Sequence, residues 1–390
     1  MPQSVQQFDV AVVGAGPAGA TAAHALASRG MNVVIIEKAK LPRYKTCGGG
    51  LLPKTLELLD SNLSSVIEHE SFSAQFRLSE RLRFRVSRTQ PIITMTMREK
   101  LDQLLVERAV HAGAKLRSPC NVLDLTIEEN TVAIKTNLET IRAQFVIAAD
   151  GANSTVAKKT GWPDHKNNVP ALEYEVFVKD EDFARLSNES RFDFDVVPRG
   201  YAWVFPKQKH LSIGVLTTRS TGVNLRQCLE NYLRLLGISR PISIERHGFV
   251  IPLQPRSSTL AANRIILTGD AAGLADPITA EGISAAIQSA RFAADAIVRG
   301  QLQNDRVCSI YNHAIRSQIF PQLKWARRLA VLMYDLPRLR NFLFRLHGQR
   351  LTEVMTELIR GQTTYTSLMR NPINYLKLLK KIYPRQDSNL

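Results

Sequence analysis

No apolar run among the 390 residues reaches the ~18 residues that a membrane-spanning helix needs, which excludes a transmembrane helix. Cysteine is scarce. Cys47, Cys120, Cys228 and Cys308 are separated by at least 73 residues, which excludes a C-x-x-C zinc or redox pair and suits a reducing compartment. The eight histidines form no H-x-x-x-H pair, so no protein-bound metal is expected. Internal repeats and low-complexity tracts are missing, as is any Ser-His-Asp or paired-carboxylate signature. Met1–Gln7 is polar and the first apolar run leads straight into glycines; no secretory signal is expected, and the expected location is cytoplasmic. Acidic residues are in deficit, 35 against 51 basic ones, for a net charge of +16. What is present is ordinary globular material, 44% apolar and 22% charged, in a chain long enough for about two to three domains.

The amino-terminal segment is specific. Phe8–Val13 (FDVAVV) reads as a buried parallel strand. Gly14-Ala-Gly16-Pro-Ala18-Gly19 follows, then an alanine-rich helix over Ala20–Arg29, Gly30, and a second apolar strand, Val33–Ile36, ending at Glu37 and Lys38. This is a β-α-β unit with G-x-G-x-x-G at the strand–helix turn. Gly14 permits the tight turn, Gly16 bares the backbone N–H groups to a pyrophosphate, and Gly19 lets helix and strand approach. The helix N-terminus adds unpaired donors and partial positive charge. Glu37, 18 residues after Gly19, suits ribose hydroxyls and would repel a 2′-phosphate, which disfavours NADP at this site. The unit by itself leaves NAD and FAD both open. No second G-x-G-x-x-G occurs, so an external electron donor has to dock transiently.

Two later segments narrow the choice. In QFVIAADGANSTVAK the strand Phe145–Ala149 runs into Asp150-Gly151 and then Ser154; in RIILTGDAAGLADPITAEGI the strand Ile265–Thr268 ends at Gly269-Asp270, and a helix begins near Glu281. With the first unit they form a trio that resembles the flavoprotein hydroxylase and geranylgeranyl reductase superfamily, in order and over nearly the whole chain. The resemblance implies an α/β fold like that of p-hydroxybenzoate hydroxylase: a Rossmann-type FAD-binding domain, an antiparallel-sheet substrate domain and a C-terminal helical cap. It implies FAD as cofactor, with Asp150-Gly151 near the pyrophosphate and Asp270 at the ribityl chain. Gly282-Ile283, opening the following helix, would face the flavin, and Arg98 in TMTMREKL would contact FAD. A positive helix end there favours an anionic reduced flavin. The alternative for Arg98 is a helix-start residue in a solvent ion pair. The hydroxylases often carry Arg where this chain has Ala157, so that phosphate contact is either missing or supplied by Lys158 or Lys159.

Two features resemble the geranylgeranyl reductases in particular. Lys45-Thr-Cys47-Gly48-Gly49-Gly50 is similar to their K-x-C-G-G-G loop, which lies beside the isoalloxazine ring; three glycines bring bare backbone to a planar ring that a Cβ would obstruct. Two roles are open to Cys47, which some family members use in catalysis: a weak proton donor or a small apolar wall. Tyr201-Ala-Trp203-Val-Phe205-Pro206 resembles their Y-x-W-x-F-P strand. Tyr201, Trp203 and Phe205 fall on one strand face at period two, where they form a wall for a prenyl chain, core between sheet and helices, or both. Flavin-dependent halogenases carry a similar W-x-W-x-I-P, but Tyr and Phe at the flanking positions favour the reductases. Gly361-Gln-Thr-Thr-Tyr365 resembles a further reductase stretch.

The expected FAD domain is discontinuous, over 1–70, 95–165 and 250–305. Alternating patterns assign 71–94 and 166–249 to an antiparallel substrate sheet, and 306–390 to a basic helical region. Residues 291–390 hold 17 Lys+Arg against 6 Asp+Glu. Arg mixed with Leu and Phe suits an interfacial helix on anionic lipid, with a solvated basic face as the alternative. Aromatic content is modest and no recognition module is legible, so nucleic acid is not an expected partner. The implied activity is reduction of C=C bonds in a geranylgeranyl or other isoprenoid by reduced FAD. Cys47, Tyr201 and Trp203 stand at the reacting face, and Gly50, Tyr201, Trp203, Phe205 and Pro206 meet the hydrophobic substrate. NADPH or reduced ferredoxin serves as donor. The alternative activity is flavin monooxygenation of an aromatic or lipid substrate. Lys45 or Arg43 could meet an anionic head group. Oligomeric state is not legible.

Overall fold

The computed structural model describes residues 6–59, 62–219 and 221–370. Its first sheet is built on five parallel strands in the order Lys115–Arg117, Val33–Ile36, Gln6–Val13, Thr140–Ala148 and Ile265–Leu267. The central strands are continuous apolar runs, buried along nearly their whole length. Pro17–Ala27 packs between Arg98–His111 and Ile283–Arg299; its alanines allow close approach. Val122–Ile127 and Val132–Thr136 form an antiparallel extension on Thr140–Ala148. Asp150, Gly14 and Asp270 all fall at the carboxyl ends of the parallel strands, where open α/β sheets bind ligands.

The second sheet has seven strands, drawn from 73–87 and 168–252, antiparallel except where Ser190–Asp193 runs parallel to Ser73–Ser79. Its two faces serve different purposes. Tyr174, Val176, Ala202, Val204 and Ile213 pack under the amphipathic helix Leu225–Leu235. The alternate residues turn the other way, toward the first domain. A three-stranded sheet (Gly50–Leu51, Ile93–Thr96, Ile67–Ser71) joins the two layers.

The chain then continues as helices Asn304–Ala314, Phe320–Ala330, Pro337–Ile359 and Tyr365–Arg370. Tyr334 donates from its hydroxyl to the Ile278 carbonyl, and Tyr365 bonds Asp276, which ties this region to the loop before Ile283–Arg299. The rest of the expected helical region, 371–390, lies outside the described residues. No helix among the described residues is long and apolar enough to cross a membrane.

Candidate active site

One cavity of about 540 Å³ runs between the carboxyl edge of the parallel sheet and the inward face of the seven-stranded sheet. Gly14, Gly16, Ala18, Glu37, Lys38, Arg98, Asp150, Gly151, Asp270, Gly282 and Ile283 line one part; Cys47, Gly48, Gly49, Gly50, Tyr201, Trp203 and Phe205 line the rest. Gly19, Gly269 and Pro206 are not on its wall. Gly19 sits behind it, where a Cβ would meet the Gly14 carbonyl, and Gly269 packs against Ala286 and Ala18. Pro206 is buried and shares strand parity with Ala202 and Val204, away from the cavity.

At the nucleotide end Gly14 adopts φ +101°, and a Cβ there would press on the Ala149 backbone. A Cβ on Gly16 would instead point into the cavity, near only the tips of Arg98 (3.6 Å) and Arg43 (4.0 Å). Both guanidinium groups share one buried carboxylate. Arg98 holds Asp102 in a fork of 2.8 and 2.9 Å, and Arg43 reaches Asp102 at 2.9 Å and Glu37 at 3.5 Å. Arg98 is therefore not in a solvent ion pair. Burial opposes its charge, but Asp102 outweighs that and pushes its pKa up. Glu37 accepts N–H bonds from Ala15 (2.8 Å) and Ala39 (3.0 Å), which fixes its carboxylate at the wall. Asp150 accepts from Ser154 Oγ (2.6 Å) and the Val156 N–H (3.1 Å), capping the short helix Thr155–Lys159. Ala157 is buried in that helix, Lys159 pairs with Asp124, and neither Lys158 nor Lys159 lines the cavity.

Asp270 lines the cavity with its carboxylate in no side-chain hydrogen bond among the described residues. Burial raises its pKa, while Lys45 and Arg98 pull it back. Lys45 lies over the Phe249 ring at 3.1 Å, and burial, helped by Arg98, brings its pKa down to about 8. The open space at Gly16, two arginines beside it, an unengaged carboxylate on the wall and the N-terminus of a 17-residue helix together fit a dinucleotide carrying a pyrophosphate and a ribityl chain.

The glycine loop turns out to be required by the protein itself. A Cβ on Gly48 would lie 2.9 Å from the Phe205 ring, and one on Gly50 3.0 Å from Ile93. Gly49 has φ +66° and its Cβ would meet the Thr96 carbonyl and Lys207 Nζ. Backbone flatness here seats the loop on the aromatic strand, whatever ligand lies on its other side. Cys47 Sγ accepts the Gly49 N–H (3.4 Å) and bonds Arg98. Tyr201, Trp203 and Phe205 are packed ring to ring at about 6 Å, so they are core and cavity wall at once. Tyr201 donates to the Thr279 carbonyl (2.6 Å). The Trp203 indole N–H is buried with no partner among the described residues, a donor whose loss of water costs about 1–3 kcal/mol unless a ligand accepts from it.

Four residues that carry the site escaped the sequence reading. Gly214 lies across from Trp203, and the indole fills the place of its missing side chain. Lys207, fully buried, donates to the Gly48 (2.6 Å) and Thr96 (2.9 Å) carbonyls and so fixes the glycine loop from behind. Glu173, on the cavity wall, accepts the Cys47 N–H at 2.7 Å, and Glu175 lies beside it on the same strand face.

The sequence matches the FAD binding domain family over residues 7–299. The protein is an FAD-dependent oxidoreductase. It is 31% identical to the geranylgeranyl diphosphate reductase of Rhodobacter capsulatus over 306 residues, 74% of this chain and 75% of that one. The crystal structure of a geranylgeranyl bacteriochlorophyll reductase-like protein from Thermoplasma acidophilum superposes with a TM-score of 0.76 at 25% identity, covering 98% of each chain. The halogenase PltM, with a TM-score of 0.70 at 18% identity over 91% of this chain and 83% of its own, shares the fold alone. This chain belongs to the geranylgeranyl reductase family.

Proposed function

We propose that the chain reduces C=C bonds in a geranylgeranyl or related isoprenoid, with electrons delivered to its flavin by NADPH or reduced ferredoxin docking transiently. The observation that carries this reading is the single cavity, which joins a nucleotide-binding end to a wall of Tyr201, Trp203 and Phe205 with no partition between them. FAD, when bound and reduced, supplies a hydride. Gly14, Gly16, Ala18, Arg98 and Arg43 would cradle its phosphates, Glu37 and Lys38 would hold its adenosine ribose end, and Asp150-Gly151, Asp270 and Gly282-Ile283 would hold the remainder. Because an isolated alkene resists hydride attack, the protein's contribution is alignment and exclusion of water. The aromatic face and Gly50 hold the chain flat, and Cys47, between the two ends, offers a proton from Sγ. The Arg98 guanidinium then faces the sulfur left behind.

A second element supports docking on an anionic membrane. Leu336, Leu339, Phe342 and Leu346 follow one another at spacings of three and four residues, each about half exposed (Phe342 55%), with Arg338 and Arg345 exposed among them. An apolar stripe flanked by arginines matches an interfacial helix, where a prenyl substrate resides.

The test is anaerobic single turnover. Reduced flavoprotein mixed with geranylgeranyl diphosphate is expected to reoxidise and return a product heavier by two hydrogens. Oxygen-dependent gain of one oxygen atom would mark a monooxygenase instead. Cys47→Ala is expected to slow that reoxidation by about 100-fold without altering FAD content; unchanged turnover would leave the thiol as a wall only.

A further inference from the structure

Behind the glycine loop lies a buried polar cluster that dinucleotide binding does not require. Glu173 and Glu175 are two residues apart on one strand, so their side chains leave the same face. Both are almost wholly buried, 1% and 2% exposed. Their partners differ. Glu175 is held by His210 Nε2 at 2.9 Å and accepts from the Tyr44 hydroxyl at 3.4 Å. Glu173 has two neutral donors, the Cys47 N–H at 2.7 Å and the Ser212 hydroxyl. Lys207 lies nearby, but its ammonium is directed at the Gly48 and Thr96 carbonyls. Two adjacent carboxylates in such surroundings do not both ionise readily.

We propose that Glu173 is the proton store of this site, resupplying the Cys47 thiol, and is itself recharged from solvent by way of Glu175 and His210. Glu173 is thus a positioning residue acting through Cys47. The proposal rests on the reductase reading for the proton's use, not for its storage. The balance is simple. The new C–H bond takes its proton from Sγ; Sγ regains one from the Glu173 O–H; the Glu173 carboxylate regains one from water through Glu175 and His210, whose ring is at the edge of the cluster with a side chain 10% exposed. The two electrons are those supplied with the flavin.

Other charges facing Glu173 agree with this assignment. Its cross-strand neighbour is His247, which stacks on Tyr44 at 4.0 Å; Lys45 is drawn to Phe249 and Asp270, and Arg98 to Asp102. Burial first, and then Glu175, raise the Glu173 pKa to about 7, which agrees with a proton held near neutrality. The Ser212 and Cys47 hydrogen bonds and the Lys207 charge work against this shift without abolishing it.

The test is infrared difference spectroscopy of the FAD-loaded protein without substrate, wild type against Glu173→Gln. Gln keeps an acceptor for the Cys47 N–H but carries no titrating proton. The expected result is a protonated-carboxyl band near pH 6 (roughly one unit below the raised value) that shifts in D2O, fades as pH rises, and is missing in Glu173→Gln. Identical carboxyl bands in the two proteins would overturn the proposal. In single turnover, Glu173→Gln is expected to reoxidise about 100-fold more slowly, to lose the wild-type pH profile, and to keep its FAD and its rate of flavin reduction by dithionite. Turnover retained with an unchanged pH profile would also overturn it. If wild type itself fails to reduce geranylgeranyl diphosphate, the function reading fails while the infrared result still decides the state of Glu173.

Discussion

Gly49 and Glu173 both bear on Cys47, one through the backbone and one through charge. Gly49 combines a left-handed conformation with contact against Thr96 and Lys207. Gly49→Ala is expected to destabilise the fold by about 2–3 kcal/mol, read as a lower urea midpoint with unchanged slope. At Glu173 the sign follows from proton counting. Its carboxyl stays protonated in the folded chain up to about pH 7, whereas the unfolded chain releases that proton near the ordinary value of 4.5. Over that window the native state binds more protons, so this residue makes stability fall as pH rises. Glu173→Gln removes this contribution; urea titrations across the window are expected to show a smaller loss toward neutrality than wild type. An equal loss in both proteins would show that Glu173 does not carry a raised pKa.

Elements differ in how plainly the sequence announces them. The Gly14–Gly19 turn, the strand before Asp150 and the strand before Asp270 are local patterns, each complete within about a dozen residues, and each lies on a strand of the parallel sheet. The helix from Ile283 starts two residues after the expected Glu281, because Glu281 instead accepts the Ser284 N–H and caps the helix. Glu173, Lys207 and Gly214 were not legible because each takes its meaning from a neighbour across the sheet or in the loop. LEYEVF reads as an ordinary alternating strand until Cys47 and Ser212 are seen against its acids. The glycine loop was legible as a motif but not in its cause, since Phe205 and Lys207 are 155 or more residues away. The helix Pro337–Ile359 buries Phe344, Val354 and Ile359 but leaves Leu339, Phe342 and Leu346 exposed near its start. Phe342→Glu combined with Leu346→Glu is expected to lower partition onto anionic vesicles at least tenfold, since each large side chain withdrawn removes about 1.5–3 kcal/mol of burial. Flotation with FAD content unchanged would measure this, and equal flotation of variant and wild type would exclude the stripe as the docking surface.

Across the whole molecule, two sheets of different origin face one another over a single cavity. The parallel sheet brings glycines, arginines and carboxylates to its edge, and the antiparallel sheet brings aromatics and a buried acid pair. The division of labour follows from strand geometry. Carboxyl ends of parallel strands expose backbone donors, while one face of an alternating sheet supplies a continuous apolar wall. On the proposed function, hydride supply and substrate alignment would meet at the Cys47 loop. The most direct measurement is the visible spectrum of the natively folded protein, with and without geranylgeranyl diphosphate. The account predicts one tightly held FAD per chain, released on denaturation, whose flavin bands shift when the isoprenoid enters the adjoining cavity. A well-folded protein that stays colourless and takes up no added FAD would contradict it.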